Sequence, residues 1–170
     1  MLDTIAAAEA FSASSGLLAS LEQHDQARRE AAAERLQRSV PEFEGAAKET
    51  IAATQALVAG TRAQARELAP EEIEQRLATL QSMERTFAML LDAKRDVHRR
   101  VLAFLSRRDR ALSSRMRPLV ARDEEASVQI CEALRDARWA VMAVLADVSP
   151  PEKAVEVSSA SDIRRALIGR

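Results

Sequence analysis

The chain has 170 residues and a mass of 18.7 kDa, with 25 Lys and Arg against 26 Asp and Glu and a formal net charge of -1. It is 47% hydrophobic but only 3% aromatic, with no Tyr, four Gly and one Cys, and a direct count finds 34 Ala, so the strongest helix former dominates. This composition excludes an intramolecular disulfide framework and any multi-thiolate metal site. It also disfavours sandwiches, barrels and glycine-looped nucleotide folds, and argues for one helical domain rather than disorder.

No basic segment precedes an apolar stretch after Met1. The longest uninterrupted apolar run, Trp139 to Ala146, has eight residues, whereas a bilayer span needs about 20. The expectation is a cytoplasmic protein.

Pro41, Pro70, Pro118 and Pro150-Pro151 divide the chain into four long stretches and a tail. Proline is tolerated in the first turn of a helix and disruptive inside it, so Pro41 and Pro70 read as helix starts. A first helix is expected from about Asp3 to Ser39, with Ile5, Phe11, Leu17, Leu18, Leu21 and Leu36 as its apolar stripe. A second, from about Glu42 to Leu68, carries Ala47, Ile51, Thr54, Val58, Thr61 and Ala65 in alternating steps of four and three. Such small side chains let neighbouring helices approach closely.

The third helix starts near Glu71 and places Ile73, Leu77, Leu80, Phe87, Leu91, Val101 and Leu105 on a heptad frame. It continues towards Pro118, with a turn expected at Ser113-Ser114 or a kink at Pro118. A fourth, from about Leu119 to Val148, shows Ile130, Leu134, Ala137, Val141 and Val144 on one seam. Trp139 and Met142 lie off that seam and belong either to the bundle interior or to an interface.

Short links make neighbours antiparallel. The expected fold is therefore all-α: an elongated antiparallel bundle or long helical hairpin of four main helices, plus a short C-terminal tail helix. Residues 1–149 form the bundle domain and residues 150–170 a flexible tail. In that tail Ser161 is a cap, and Ile163, Arg164, Ala166 and Leu167 form a small face that docks on the bundle, orders on a partner or stays disordered.

Charge is balanced overall and uneven locally. Residues 94 to 122 hold ten basic side chains against two acidic ones, Asp96 and Asp109. Arg99, Arg100, Arg107, Arg108, Arg110, Arg115 and Arg117 are the candidate site for an anionic partner. Three readings compete: a solvated face paired with the acidic first and second helices, a carboxylate-bearing protein, or phosphate on nucleic acid or an anionic membrane. The absence of Tyr for base stacking and a pI near 6.2 weigh against nucleic acid.

Signals of chemistry are few. The residues three before His24 and His98 are Leu21 and Arg95, so the Glu-x-x-His pair of di-iron bundles is missing. His98 falls near the heptad seam with Lys94, which makes it a partly buried polar position or a register device rather than a ligand. Cys131, among Val128, Gln129 and Ile130, reads as inert packing. No catalytic residue, cofactor or metal is indicated. The leading expectation is a non-enzymatic interaction module of the adaptor, chaperone, antitoxin or immunity type, homodimeric and bound to a protein partner through helical grooves, the arginine-rich tip and the tail. The alternative is a phosphate-binding helical protein.

Overall fold

The computed structural model describes residues 16–22 and 25–148. Within them the chain is all-α, as the composition and periodicity imply. Residues 16–20 are helical and are followed by three long helices: α1 (Gln26–Ala63), α2 (Pro70–Arg108) and α3 (Arg110–Val148). Each long helix, at 38 or 39 residues, is roughly 57 Å long. The expected tail helix at Ile163, Arg164, Ala166 and Leu167, like His24, lies outside the described residues.

Local chemistry sets most of the boundaries. Asp25 caps α1, its Oδ1 accepting from the Ala27 and Arg28 amides at 2.9 and 3.3 Å. Pro70 opens α2 at its first turn with Glu71 and Glu72 beside it, where negative charge complements the positive end of the helix dipole. A single residue, Asp109, separates α2 from α3. Its Oδ1 accepts the Leu112 amide at 2.9 Å and thereby caps α3.

Two expected breaks are not there. Pro41 lies inside α1 and Pro118 inside α3. The reason is position: Pro41 and Pro118 are exposed, and the carbonyls they deprive of a donor belong to the exposed Gln37 and Ser114, where water can replace the lost bond. The second helix therefore does not begin at Glu42, and the third ends at Arg108 instead of running to Ser113-Ser114 or Pro118.

α3 packs along both other helices, antiparallel to α2 and parallel to α1. Lys94 meets Asp123 and Ser127, and Glu84 meets Arg135 and Arg138, so numbering rises on one helix as it falls on the other. Glu30 meets Arg115 and Glu44 meets Arg122, so on α1 and α3 numbering rises together. Among the described residues the apolar interior forms two clusters. One, at the α2–α3 turn, joins Leu18, Leu21, Leu36 and Val40 to Val101, Leu105, Leu112 and Met116. The other joins Phe43 and Ala47 to Ile73, Leu80, Phe87, Ile130, Leu134 and Val141. The thin stripe of α1 stays compatible with burial because Thr50, Thr54 and Thr61 donate their hydroxyls to carbonyls one turn back at 2.8–2.9 Å.

Candidate functional site

Between the two apolar clusters lies a polar layer built from side chains one helical turn apart. Lys94 and His98 project from α2, and Asp123 and Ser127 from α3; spacing of four keeps each pair on one helix face. Lys94 Nζ is 2.9 Å from Asp123 Oδ2 and donates to Ser127 Oγ at 3.3 Å. His98 Nε2 lies 3.1 Å from the same Asp123 oxygen. Ser127 in turn donates to the Asp123 carbonyl at 2.8 Å. From α1, the Phe43 ring lies beneath the ammonium at 4.1 Å from its centroid, so all three helices contribute.

Burial pulls the Lys94 pKa down, and the Asp123 carboxylate opposes that shift by charge and hydrogen bond. Asp123 Oδ1 and His98 Nδ1 have no hydrogen-bond partner among the described residues. His98 Nδ1 lies 3.6 Å from Glu124 Oε2, and Arg95 Nε donates to Glu124 Oε1 at 2.9 Å, which places a second, half-exposed ion pair over the rim of the layer. The Lys94 and Asp123 side chains are fully closed to solvent. Their position and antiparallel match suit a register device, one of the two roles, with a partly buried polar position, that the sequence suggests for His98.

Asp123 and Ser127 were not singled out by sequence, although a signal was present. Extending the Ile130–Leu134–Ala137 seam backwards in steps of three and four lands on Ser127, Asp123, Val120 and Met116, all buried. The α2 seam lands in the same way on Lys94 and His98 between Leu91 and Val101.

Cys131 is buried and its thiol pKa is pushed up by that burial, the environment of an inert thiol. Among the described residues no group of three or more His, Cys, Asp or Glu side chains could hold a metal ion, and no helix is long and apolar enough to cross a membrane.

The candidate arginines divide into two sets. Arg99 pairs with Asp96 on its own helix, Arg100 with Glu22 at 3.7 Å and Arg115 with Glu30 at 3.2 Å. Arg107, Arg108, Arg110 and Arg117 are exposed and form no ion pair with a described residue. Arg107, Arg108 and Arg110 flank the α2–α3 turn and Arg117 follows two helical turns into α3, at the end where α1 and α3 both begin. Along the bundle, Arg122 holds Glu44 through two bonds of 2.8 and 2.6 Å and Arg138 lies 2.8 Å from Glu84, while Arg35, Arg62, Arg66 and Arg85 are exposed and, like the tip residues, form no ion pair with a described residue.

Trp139 is 55% exposed and so belongs to the surface, with the Arg138 guanidinium 5.1 Å from its ring centroid; Met142 is half-buried. A shallow groove of about 360 Å³ runs between α1 and α3 over Thr54, Val58, Ala59, Ala133, Ala137 and Ala140.

Comparisons of the chain with protein-family models, with curated proteins and with solved structures found no match.

Proposed function

We propose that this chain is a non-enzymatic helical interaction module that docks an acidic surface of a protein partner on its arginine tip. The observation that supports this reading is a local density of unmatched arginine. Arg107, Arg108, Arg110 and Arg117 lie close together in sequence around one turn, exposed and without an ion pair to a described residue, whereas the other exposed arginines without one, Arg35, Arg62, Arg66 and Arg85, are scattered along α1, α2 and the link between them. A guanidinium fork suits bidentate carboxylates, and the patch is a tip rather than a long basic face. Arg99, Arg100 and Arg115 border it and keep their own acidic neighbours. The non-enzymatic reading rests on the closure of the ionisable layer: no substrate reaches Lys94 or Asp123 without the helices parting.

Phosphate is the second reading, favoured by one feature. The N-terminus of α3 begins at Arg110, within the cluster, and helix N-termini attract anions.

The test compares a glutamate-rich peptide, duplex DNA and vesicles containing phosphatidylglycerol as ligands, with and without Arg107→Gln, Arg108→Gln, Arg110→Gln and Arg117→Gln together. The proposal expects peptide binding that the quadruple variant weakens by at least about tenfold, given charge-assisted bonds of roughly 1.5–3 kcal/mol each. Tighter binding of DNA or vesicles, lost in the same variant and falling steeply with salt, would replace it with the phosphate reading.

A further inference from the structure

We propose that Asp109 is a hinge at which α2 and α3 open into one continuous helix, so that two copies of this chain exchange α3. The starting point is the brevity of the connection. Two helices of 39 residues each are joined by one non-helical residue, with φ -153° and ψ 88°, a backbone region open to any residue. The helical hydrogen-bond ladder already enters the turn from both sides. The Asp109 amide donates to the Leu105 carbonyl at 2.7 Å, and the Ser113 amide to the Asp109 carbonyl at 2.9 Å.

Rotation about the two backbone bonds of Asp109 would let the amides of Arg110, Ala111 and Leu112 reach the carbonyls of Ser106, Arg107 and Arg108. Only the Leu112 amide loses a partner in exchange, the Asp109 carboxylate. The hairpin would become a rod from Pro70 to Val148, roughly 120 Å long at 1.5 Å per residue. The freed α3 could not stay uncovered, because its buried seam from Leu112 to Val144 contacts α1 and α2 along its whole length.

A second copy opened in the same way offers the matching groove. Exchange restores the contacts of α3 between copies and changes only the hinge, which makes it a low-cost route to a dimer. The polar layer dictates the register of that exchange. Lys94 must meet Asp123 of the other copy, and any slip would leave a fully buried charge without its counterion. Arg107, Arg108 and Arg110 oppose it, since two sets would meet at the dyad. Exchange therefore increases with ionic strength.

The test uses the full chain, unfolded and refolded at high protein concentration in about 1 M salt, where the Debye length is near 3 Å. Light scattering should find a species of twice 18.7 kDa. Arg95→Cys and Glu124→Cys are placed in separate Cys131→Ser chains. The partners of this rim pair lie 2.9 Å apart across α2 and α3. When the two chains are refolded together, a short bis-maleimide should join them into a heterodimer. Inserting Gly-Ser-Gly-Ser after Asp109, which relaxes the turn without touching the bundle, should reduce both the double-mass species and the cross-link at least tenfold. A monomer at every concentration and salt, a double-mass species that survives the insertion, or a double-mass species whose two introduced thiols do not cross-link would overturn the proposal. The last two outcomes indicate surface association. None of these measurements involves an acidic partner, so the docking reading stands or falls separately.

Discussion

Lys94 Nζ and Asp123 Oδ2 lie 2.9 Å apart with neither side chain exposed to solvent. A pair so placed is expensive to desolvate and more expensive to break. Asp123→Ala leaves the ammonium buried without its counterion and should destabilise the fold by about 3–5 kcal/mol. The double variant Lys94→Met with Asp123→Leu removes both charges and should match the wild type or exceed it by up to about 4 kcal/mol. Urea unfolding followed by circular dichroism measures both. A double variant as weak as Asp123→Ala would mean that the layer contributes packing rather than charge pairing.

The same lysine gives an alkaline signature. Burial lowers its pKa in the folded chain, against about 10.4 in the unfolded one. Between those two values the unfolded chain holds more protons, so the contribution of Lys94 to stability rises with pH and is complete above the unfolded value. It is lost as pH falls through the folded one. Measured against the Lys94→Met, Asp123→Leu variant, the wild type should gain stability as pH climbs towards 10.5, the ordinary lysine value. A flat difference would place the ammonium in contact with water.

Glu44 provides the acidic counterpart. The guanidinium of Arg122 holds its carboxyl below the usual glutamate range, chiefly through the hydrogen bond and then by charge. Its contribution is present above the ordinary glutamate pKa and disappears as pH drops through the lowered value. Arg122→Gln should flatten the loss of stability on acidification relative to wild type. Chemical unfolding between pH 6 and pH 3 reads that slope. Parallel curves would show that the exposed fork adds no linkage.

Cys131 should behave as a reporter of unfolding. It is buried and its thiol pKa is raised, so two causes suppress the thiolate that alkylating reagents attack. Iodoacetamide at pH 8 is expected to label the folded chain far more slowly than the urea-unfolded chain, with a rate that follows the unfolding transition. Rapid labelling of the folded protein would reveal local opening of α3 near Ile130.

The course of the helices and their burial were largely legible in the sequence because α2 and α3 carry strong seams. The heptad from Ile73 to Leu105 and the steps from Ile130 to Val144 are buried largely as read, with Leu77 half-buried. Helix punctuation is less legible because the effect of a proline depends on which helix face it occupies, and that face is set by tertiary packing. On exposed faces Pro41 and Pro118 do not break their helices, whereas Asp109, with no proline or glycine beside it, turns the chain by capping α3. The Lys94–Asp123 layer was half legible. Lys94 and His98 stood out on an apolar seam, but pairing them with Asp123 required knowing that the turn falls at residue 109, which sets which residues face each other.

Pro41 offers the last measurable consequence. In a helix interior proline removes one amide donor and crowds the carbonyl four residues back, a cost of about 3 kcal/mol relative to alanine. Two effects reduce what replacement recovers here. Water can already satisfy the exposed Gln37 carbonyl, and proline restricts the unfolded chain by about 0.4–1 kcal/mol, an advantage that alanine gives up. Pro41→Ala should therefore stabilise the fold by about 1–2 kcal/mol, and Pro118→Ala, beside the equally exposed Ser114 carbonyl, by a similar amount. Neither should change the urea m-value, because neither alters the surface that unfolding exposes. The two prolines stand at matching heights on parallel helices, three and four residues before the paired Glu44 and Arg122. If both replacements instead destabilised, the local geometry imposed by the prolines would be what lets α1 bring Phe43 under Lys94.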